Sequence, residues 1–161
     1  MRRLIKQREV ITDEWRYADE EPQGRERAVI LPVARWREER ERWWLWDGRL
    51  GVRIGPTDKV AALEHDFLRV GLIAIEFGGI GEGRGYSQAQ QLRKRYKFTG
   101  ELRAVGSIQR DQLFFMARCG FDAFELPDTA NVAEWLGAFD DFSVAYQGAV
   151  DNAVTLARRA S

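Results

Sequence analysis

A chain of 161 residues, 45% hydrophobic and 31% charged, has the composition of one soluble globular domain with a sizeable core. Its 25 basic residues balance 25 acidic ones, so no global field draws it to nucleic acid or to an anionic membrane surface. A single cysteine, Cys119, and a single histidine, His65, exclude an intramolecular disulfide, a zinc site of ordinary type, and any Ser-His-Asp triad not built on His65.

The first residues, Met1-Arg2-Arg3-Leu4-Ile5-Lys6, run into charge rather than into an apolar signal core, and no apolar run approaches the ~20 residues of a membrane span. The expected setting is cytoplasmic and reducing. Residues 1–18 read as an appended hairpin, with Leu4-Ile5 and Val10-Ile11 on either side of Gln7-Arg8-Glu9. A polar connector with Pro22 and Gly24 follows. Residues 27–148 then read as a single α/β domain. Its expected elements are a strand over 28–33, a helix over 34–46, a strand over 51–54 and a helix over 56–67. Strands over 70–77, 102–105 and 123–126 come next, then a helix over 131–142 and a last strand over 144–146. Residues 149–161 read as a terminal helix or a frayed tail.

Strand–helix alternation with short connectors implies a mostly parallel sheet of five to six strands built from βα units. An open, doubly wound sheet is the first expectation. A partial TIM-like barrel is the second, because a complete one needs ~250 residues.

If the strands are parallel, two turns open at the same sheet edge, where α/β proteins place their sites. The first is Gly78-Gly79-Ile80-Gly81-Glu82-Gly83-Arg84-Gly85-Tyr86-Ser87. Its glycines permit positive φ, the following helix offers N–H groups to an anion, and Arg84 suits an oxyanion or carboxylate. Gly83, Arg84, Gly85 and Ser87 therefore form a candidate ligand loop, with Arg110 and Asp111 from the second turn, which begins Gly106-Ser107. The spacing misses the dinucleotide fingerprint, whose last glycine would fall at Arg84, and no Gly-Lys-Ser/Thr follows. No cofactor and no metal is assigned. Ser87-Gln88-Ala89-Gln90 also matches a capping box, and Asp111 suits a helix start by dipole alone.

Glu76, at a strand end, is the candidate acid or base, and Glu125 holds the matching place on its own strand. An ion pair with Arg103 or Arg53 competes with that role. Cys119, before Gly120 at a helix end, reads as a small buried residue, and His65 as half exposed near a helix end. A helix cannot bury three adjacent positions on one face, so Trp43, Trp44 and Trp46 are candidate partner-binding residues, facing the hairpin or another protein.

From Gly83 to Leu126 the chain reads GRGYSQAQQLRKRYKFTGELRAVGSIQRDQLFFMARCGFDAFEL. This stretch, notably residues 83–89 and 110–115, resembles a bacterial domain-of-unknown-function family, number nine-three-four. The resemblance extends to the hairpin and to Leu50-Gly51-Val52-Arg53. The family pattern carries an Asp where this chain has Ser107, which argues against an essential acid there. Family members are commonly encoded beside the haemoprotein subunit of assimilatory sulfite reductase and are often labelled probable oxidoreductases. The resemblance therefore implies a pathway and no mechanism. The first functional expectation is an accessory protein that binds sulfite reductase or its electron donor without chemistry of its own. The alternative is a binder or enzyme for a sulfur oxyanion or phosphorylated metabolite, using the turn pocket around Arg84. A third reading is a homo-oligomer that self-associates through an incomplete barrel.

Overall fold

Apolar runs near the expected places build one eight-stranded sheet. Its strands are β1 (Arg3–Lys6), β2 (Glu9–Thr12), β3 (Arg16–Tyr17), β4 (Ala28–Pro32), β5 (Arg49–Ile54), β6 (Val70–Phe77), β7 (Glu101–Gly106) and β8 (Ala123–Glu125). The helices are α1 (Val33–Glu38), α2 (Arg40–Trp44), α3 (Arg84–Gln90), α4 (Leu113–Cys119) and α5 (Val132–Ala145). The computed structural model describes residues 2–18, 26–78 and 83–145.

The strand order is β2-β1-β8-β7-β6-β5-β4-β3. β3 to β8 are parallel, and β1 runs antiparallel to both β8 and β2. From β3 to β8 the order is sequential, so it never reverses. The doubly wound expectation is therefore corrected: the sheet is a curled half-barrel, the second expected form, with eight strands rather than five or six. Both architectures alternate strands and helices, and the reversal that separates them leaves no mark in local periodicity. The hairpin joins the sheet itself, with Leu4, Ile5 and Lys6 opposite Glu125, Phe124 and Ala123.

Side-chain alternation gives the sheet two unlike faces. Leu31, Val52, Ile73, Ile75, Leu102 and Phe124 share one core with Trp36, Leu92, Leu113, Met116 and Trp135 from the helical layer. On the concave face only Tyr17, Ile30, Leu72, Ala74 and Val105 cluster, with Trp15 packed against them. Several other inward positions there are charged, and with Arg2 and Asp13 beside the strands they form a seam of alternating sign. Arg2 Nε lies 3.1 Å from Asp13 Oδ2, which lies 2.9 Å from Arg103 Nη1. Arg103 Nε lies 3.0 Å from Glu101 Oε2, and Glu101 Oε1 lies 2.7 Å from Lys6 Nζ. Arg103 is fully buried, and the Asp13 carboxylate nearly so.

Tyr17 Oη donates to Glu125 Oε2 at 2.7 Å, tying edge strand β3 to β8 across the concave face. Burial, with Glu125 beside it, pushes the Tyr17 phenol well above its ordinary range. Glu125 is thus paired, with a phenol rather than with an arginine.

Several elements differ locally from expectation. The helix over 34–46 divides at Glu39. The helix over 56–67 shrinks to a 3-10 turn, Val60–Leu63, and Asp58 upstream of it accepts a bond from Gly55 N at 2.7 Å, the side-chain competition that draws backbone away from helix. The last strand is absent because α5 runs on to Ala145, from a start where Asn131 Oδ1 accepts from Glu134 N. The connector over 19–25, the glycine turn over 79–82 and the tail from 146 onward lie outside the described residues.

Candidate functional site

The C-terminal ends of β6 and β7 meet closely. Gly106 has φ +88, and a Cβ there would lie 2.6 Å from the Phe77 carbonyl, so only glycine fits. Ser107 N donates to that carbonyl at 2.8 Å. Glu76, opposite Val105 in the β6–β7 register, is exposed and makes no hydrogen bond or ion pair among the described residues.

α3 begins at Arg84, four residues earlier than a cap at Ser87 requires. The capping box expected at Ser87 and Gln90 is therefore corrected. Ser87 lies inside the helix, its Oγ 3.5 Å from Gly83 O. A capping box forms instead in the second turn, where Gln109 N donates to Gln112 Oε1 at 2.8 Å. Neither Gly83 nor Gly85 adopts positive φ. A Cβ on Gly85 would lie 2.5 Å from the Phe77 ring, so this glycine serves packing.

Arg84 is exposed, and its Nη1 donates to Pro56 O at 3.1 Å. Arg110 and Asp111 are exposed in the 3-10 turn that leads into α4. Gln112 of that turn donates to Tyr86 Oη at 3.1 Å, joining it to α3. No described contact brings Arg84, Glu76, Arg110 and Asp111 onto one another. Gln88, which sequence reading passed over as part of a cap, is the buried polar residue here. Its Nε2 donates to Gly55 O and Asp58 O, both at 2.9 Å, while its Oε1 is buried without a partner among the described residues.

Cys119 is buried, which raises its thiol pKa, with weaker opposing effects from a Gln90 hydrogen bond, Arg118 and Lys94. His65 is exposed beside Glu64, at 3.5 Å. Among the described residues no three His, Cys, Asp or Glu side chains gather as metal ligands.

The tryptophan cluster forms the corner between α2 and β5. Trp43 is buried, and its Nε1 donates to Glu39. Trp46 is half-buried, with its ring edge-on to Trp43 at 5.4 Å. Trp44 is the most open of the three, 37% exposed, with the Arg40 guanidinium 5.0 Å from its ring centroid. Behind it, buried Asp66 accepts from Trp36 Nε1 at 3.0 Å and from Arg40 Nε at 2.8 Å. Leu45 is 86% exposed and Leu68 fully so. Arg69, next to Leu68, donates to the carbonyls of Trp43, Trp44, Trp46 and Gly48 and so fixes the corner.

Residues 51–157 match the family described as a bacterial protein of unknown function (DUF934). The chain belongs to that family. No curated protein matches it. The DUF934 stretch begins inside β5, so it takes in β6 to β8, α3, α4 and Leu68-Arg69. Asp13 of the seam and Trp44-Leu45 of the corner precede it. Among the described residues no helix is long and apolar enough to cross a membrane.

Proposed function

We propose that the protein is an accessory component of assimilatory sulfite reduction, which docks on sulfite reductase or its electron donor through the α2–β5 corner and performs no chemistry itself. The sulfite setting rests on the family resemblance. The docking role rests on one observation: Trp44, Leu45 and Leu68 stand exposed at a corner held rigid by Arg69. Large apolar side chains are costly to leave in water, and a half-open Trp beside arginine is the composition of an interface centre. The test is co-elution with purified sulfite reductase on a sizing column at about 10 μM, a concentration at which a complex with a Kd of about 1 μM or below stays associated. Wild type should co-elute, and the Leu45→Asp, Leu68→Asp double variant should not. Both substitutions sit on exposed side chains, so the variant should keep its unfolding midpoint. No association of the wild type with the reductase or its electron donor overturns the reading.

A second reading keeps a small-molecule site at the strand C-termini, where Glu76, without a hydrogen bond or ion pair among the described residues, would serve as acid or base. There Arg84 would hold a sulfur oxyanion or a phosphorylated metabolite. Arg84→Ala should then abolish any thermal shift produced by sulfite or phosphate. If wild type shows no shift with either anion, this reading falls.

A further inference from the structure

The concave face has another opening, at the N-terminal ends of the parallel strands. β5 starts at Arg49 and β7 at Glu101, and antiparallel β1 ends there at Lys6. A cleft of about 380 Å³ lies among them, lined by Lys6, Trp15, Arg49, Arg69, Gly71 and Glu101. That volume is within the range of small-molecule sites.

Its lining sets three cations against one carboxylate, and the carboxylate is already engaged by Arg103 and Lys6. The cations keep donors free. Lys6 Nζ makes one bond, to Glu101. Arg49 meets Glu14 at 2.9 Å, but both side chains are more than half exposed, so water screens the pair. The Arg49 guanidinium also lies 5.1 Å from the Trp15 ring centroid, which orients it. Arg69 is anchored through Nε and Nη2 by four carbonyls, and its Nη1 has no partner among the described residues. A guanidinium fixed before any ligand arrives loses little entropy on binding one. Burial lowers the Arg69 pKa, an unfavourable position for a cation that an anion in the cleft offsets.

The backbone bends at the same place. Leu50 pairs with Val70 but Gly51 pairs with Leu72, which leaves Gly71 as the extra residue of a β-bulge. Bulges concentrate beside binding sites, where they re-aim a strand. A Cβ on Gly71 would meet nothing nearer than Leu50 O, at 4.0 Å. Packing therefore does not demand glycine there, and the missing side chain leaves the cleft open.

We infer that this cleft binds a small metabolite carrying a doubly charged oxyanion of the phosphate-monoester type, with a flat apolar body against Trp15. Lys6, Arg49 and Arg69 hold the oxyanion, and Trp15 forms the apolar wall. An inorganic oxyanion occupies only part of the space and binds more weakly.

The test is thermal unfolding of the full chain at low ionic strength, with adenosine 5′-monophosphate, inorganic phosphate and adenosine as probes. The monophosphate should raise Tm with concentration, phosphate should need about tenfold more for the same shift, and adenosine should do nothing. Arg49→Ala and Gly71→Val should each weaken the monophosphate about tenfold or more, the first by removing charge and the second by filling space. Two variants with different causes also separate binding from a general salt effect, and Arg49→Ala alters an exposed side chain, so it guards against misfolding of the other. No shift with either phosphate compound at about 10 mM overturns the proposal, as do unchanged affinities in both variants. Equal potency of phosphate and the monophosphate overturns the apolar wall.

Discussion

The two ends of the sheet carry similar residues to opposite effect. At the C-terminal end stand the glycines and Arg84, the features that in sequence suggest an anion loop. There Gly85 makes room for Phe77, Arg84 donates to Pro56 O, and Gln88 clamps the Gly55 and Asp58 carbonyls. At the N-terminal end Lys6, Arg49 and Arg69 surround open space with donors still free. Residue type does not separate the two ends. The destination of each hydrogen-bond donor does, because a donor bound to a neighbouring carbonyl shapes the fold, whereas a fixed donor facing a cavity is available to a ligand.

The seam between the two ends offers the largest test of that contrast. Asp13→Ala takes the shared carboxylate from Arg2 and from Arg103, whose Nη2 already lacks a partner. Arg103 would keep only Glu101, which Lys6 shares, and breaking such a buried pair costs about 3–5 kcal/mol, read as a fall in the urea midpoint. Asp13→Asn with Arg103→Met should recover much of the loss, because an apolar side chain of similar length needs no counter-charge. A cost under about 1 kcal/mol for Asp13→Ala would mean that the curl does not depend on the seam, and the two ends could no longer be treated as fixed relative to each other.

A middle-sized effect is expected at Arg69, the residue shared by the docking corner and the cleft. Arg69→Met keeps the length of the side chain but frees the carbonyls of Trp43, Trp44, Trp46 and Gly48. Water can satisfy part of that loss, so the expected cost is about 1–3 kcal/mol. The same variant should bind adenosine 5′-monophosphate more weakly. Lost stability with unchanged affinity would make Arg69 a cap for the corner alone, and would shrink the cleft's cationic set to Lys6 and Arg49.

Periodicity made much of this fold legible. The run over 70–77 is β6, and the glycine after Cys119 does end α4, with φ +116. Curl and strand order were not legible, because they depend on which strands pair across the chain rather than on any window of residues. The Ser87 box failed for a related reason: Gly85 packs on Phe77 and carries the helix start back to Arg84, so tertiary contact overrides a local cap. Arg103 did leave a signal, a charge inside the apolar run over 102–105, but its partner Asp13 lies 90 residues away in the segment that reads as an appended hairpin. The cleft was illegible for the same cause. Its lining comes from β1, β5, β6 and β7 and from the links before β3 and β6, and its one local sign is a glycine at the start of β6.

The smallest expected effect concerns a carboxylate at the N-terminal end that the cations there do not fully compensate. Asp122 lies just before β8, where its Oδ1 accepts from Leu102 N at 2.7 Å and lies 3.6 Å from Arg93 Nη2. Burial raises its pKa, and nearby Glu101 adds to the rise; the Leu102 bond, Arg93 and Lys6 pull the other way without cancelling it. The native state then holds this proton more tightly than the unfolded chain, where an Asp titrates near ~3.9. Between that pH and the higher native pKa the native state binds more protons, so the Asp122 contribution to stability falls as pH rises and is constant above the window. Asp122→Asn keeps an acceptor for Leu102 N and removes the charge. Unfolding midpoints of wild type and variant, compared from about pH 3.5 to 7, should show wild type losing ground through that window. If wild type gains ground instead, Arg93 and Lys6 outweigh burial at Asp122, and the excess of positive charge around the cleft reaches further along this end of the sheet than the cleft lining alone.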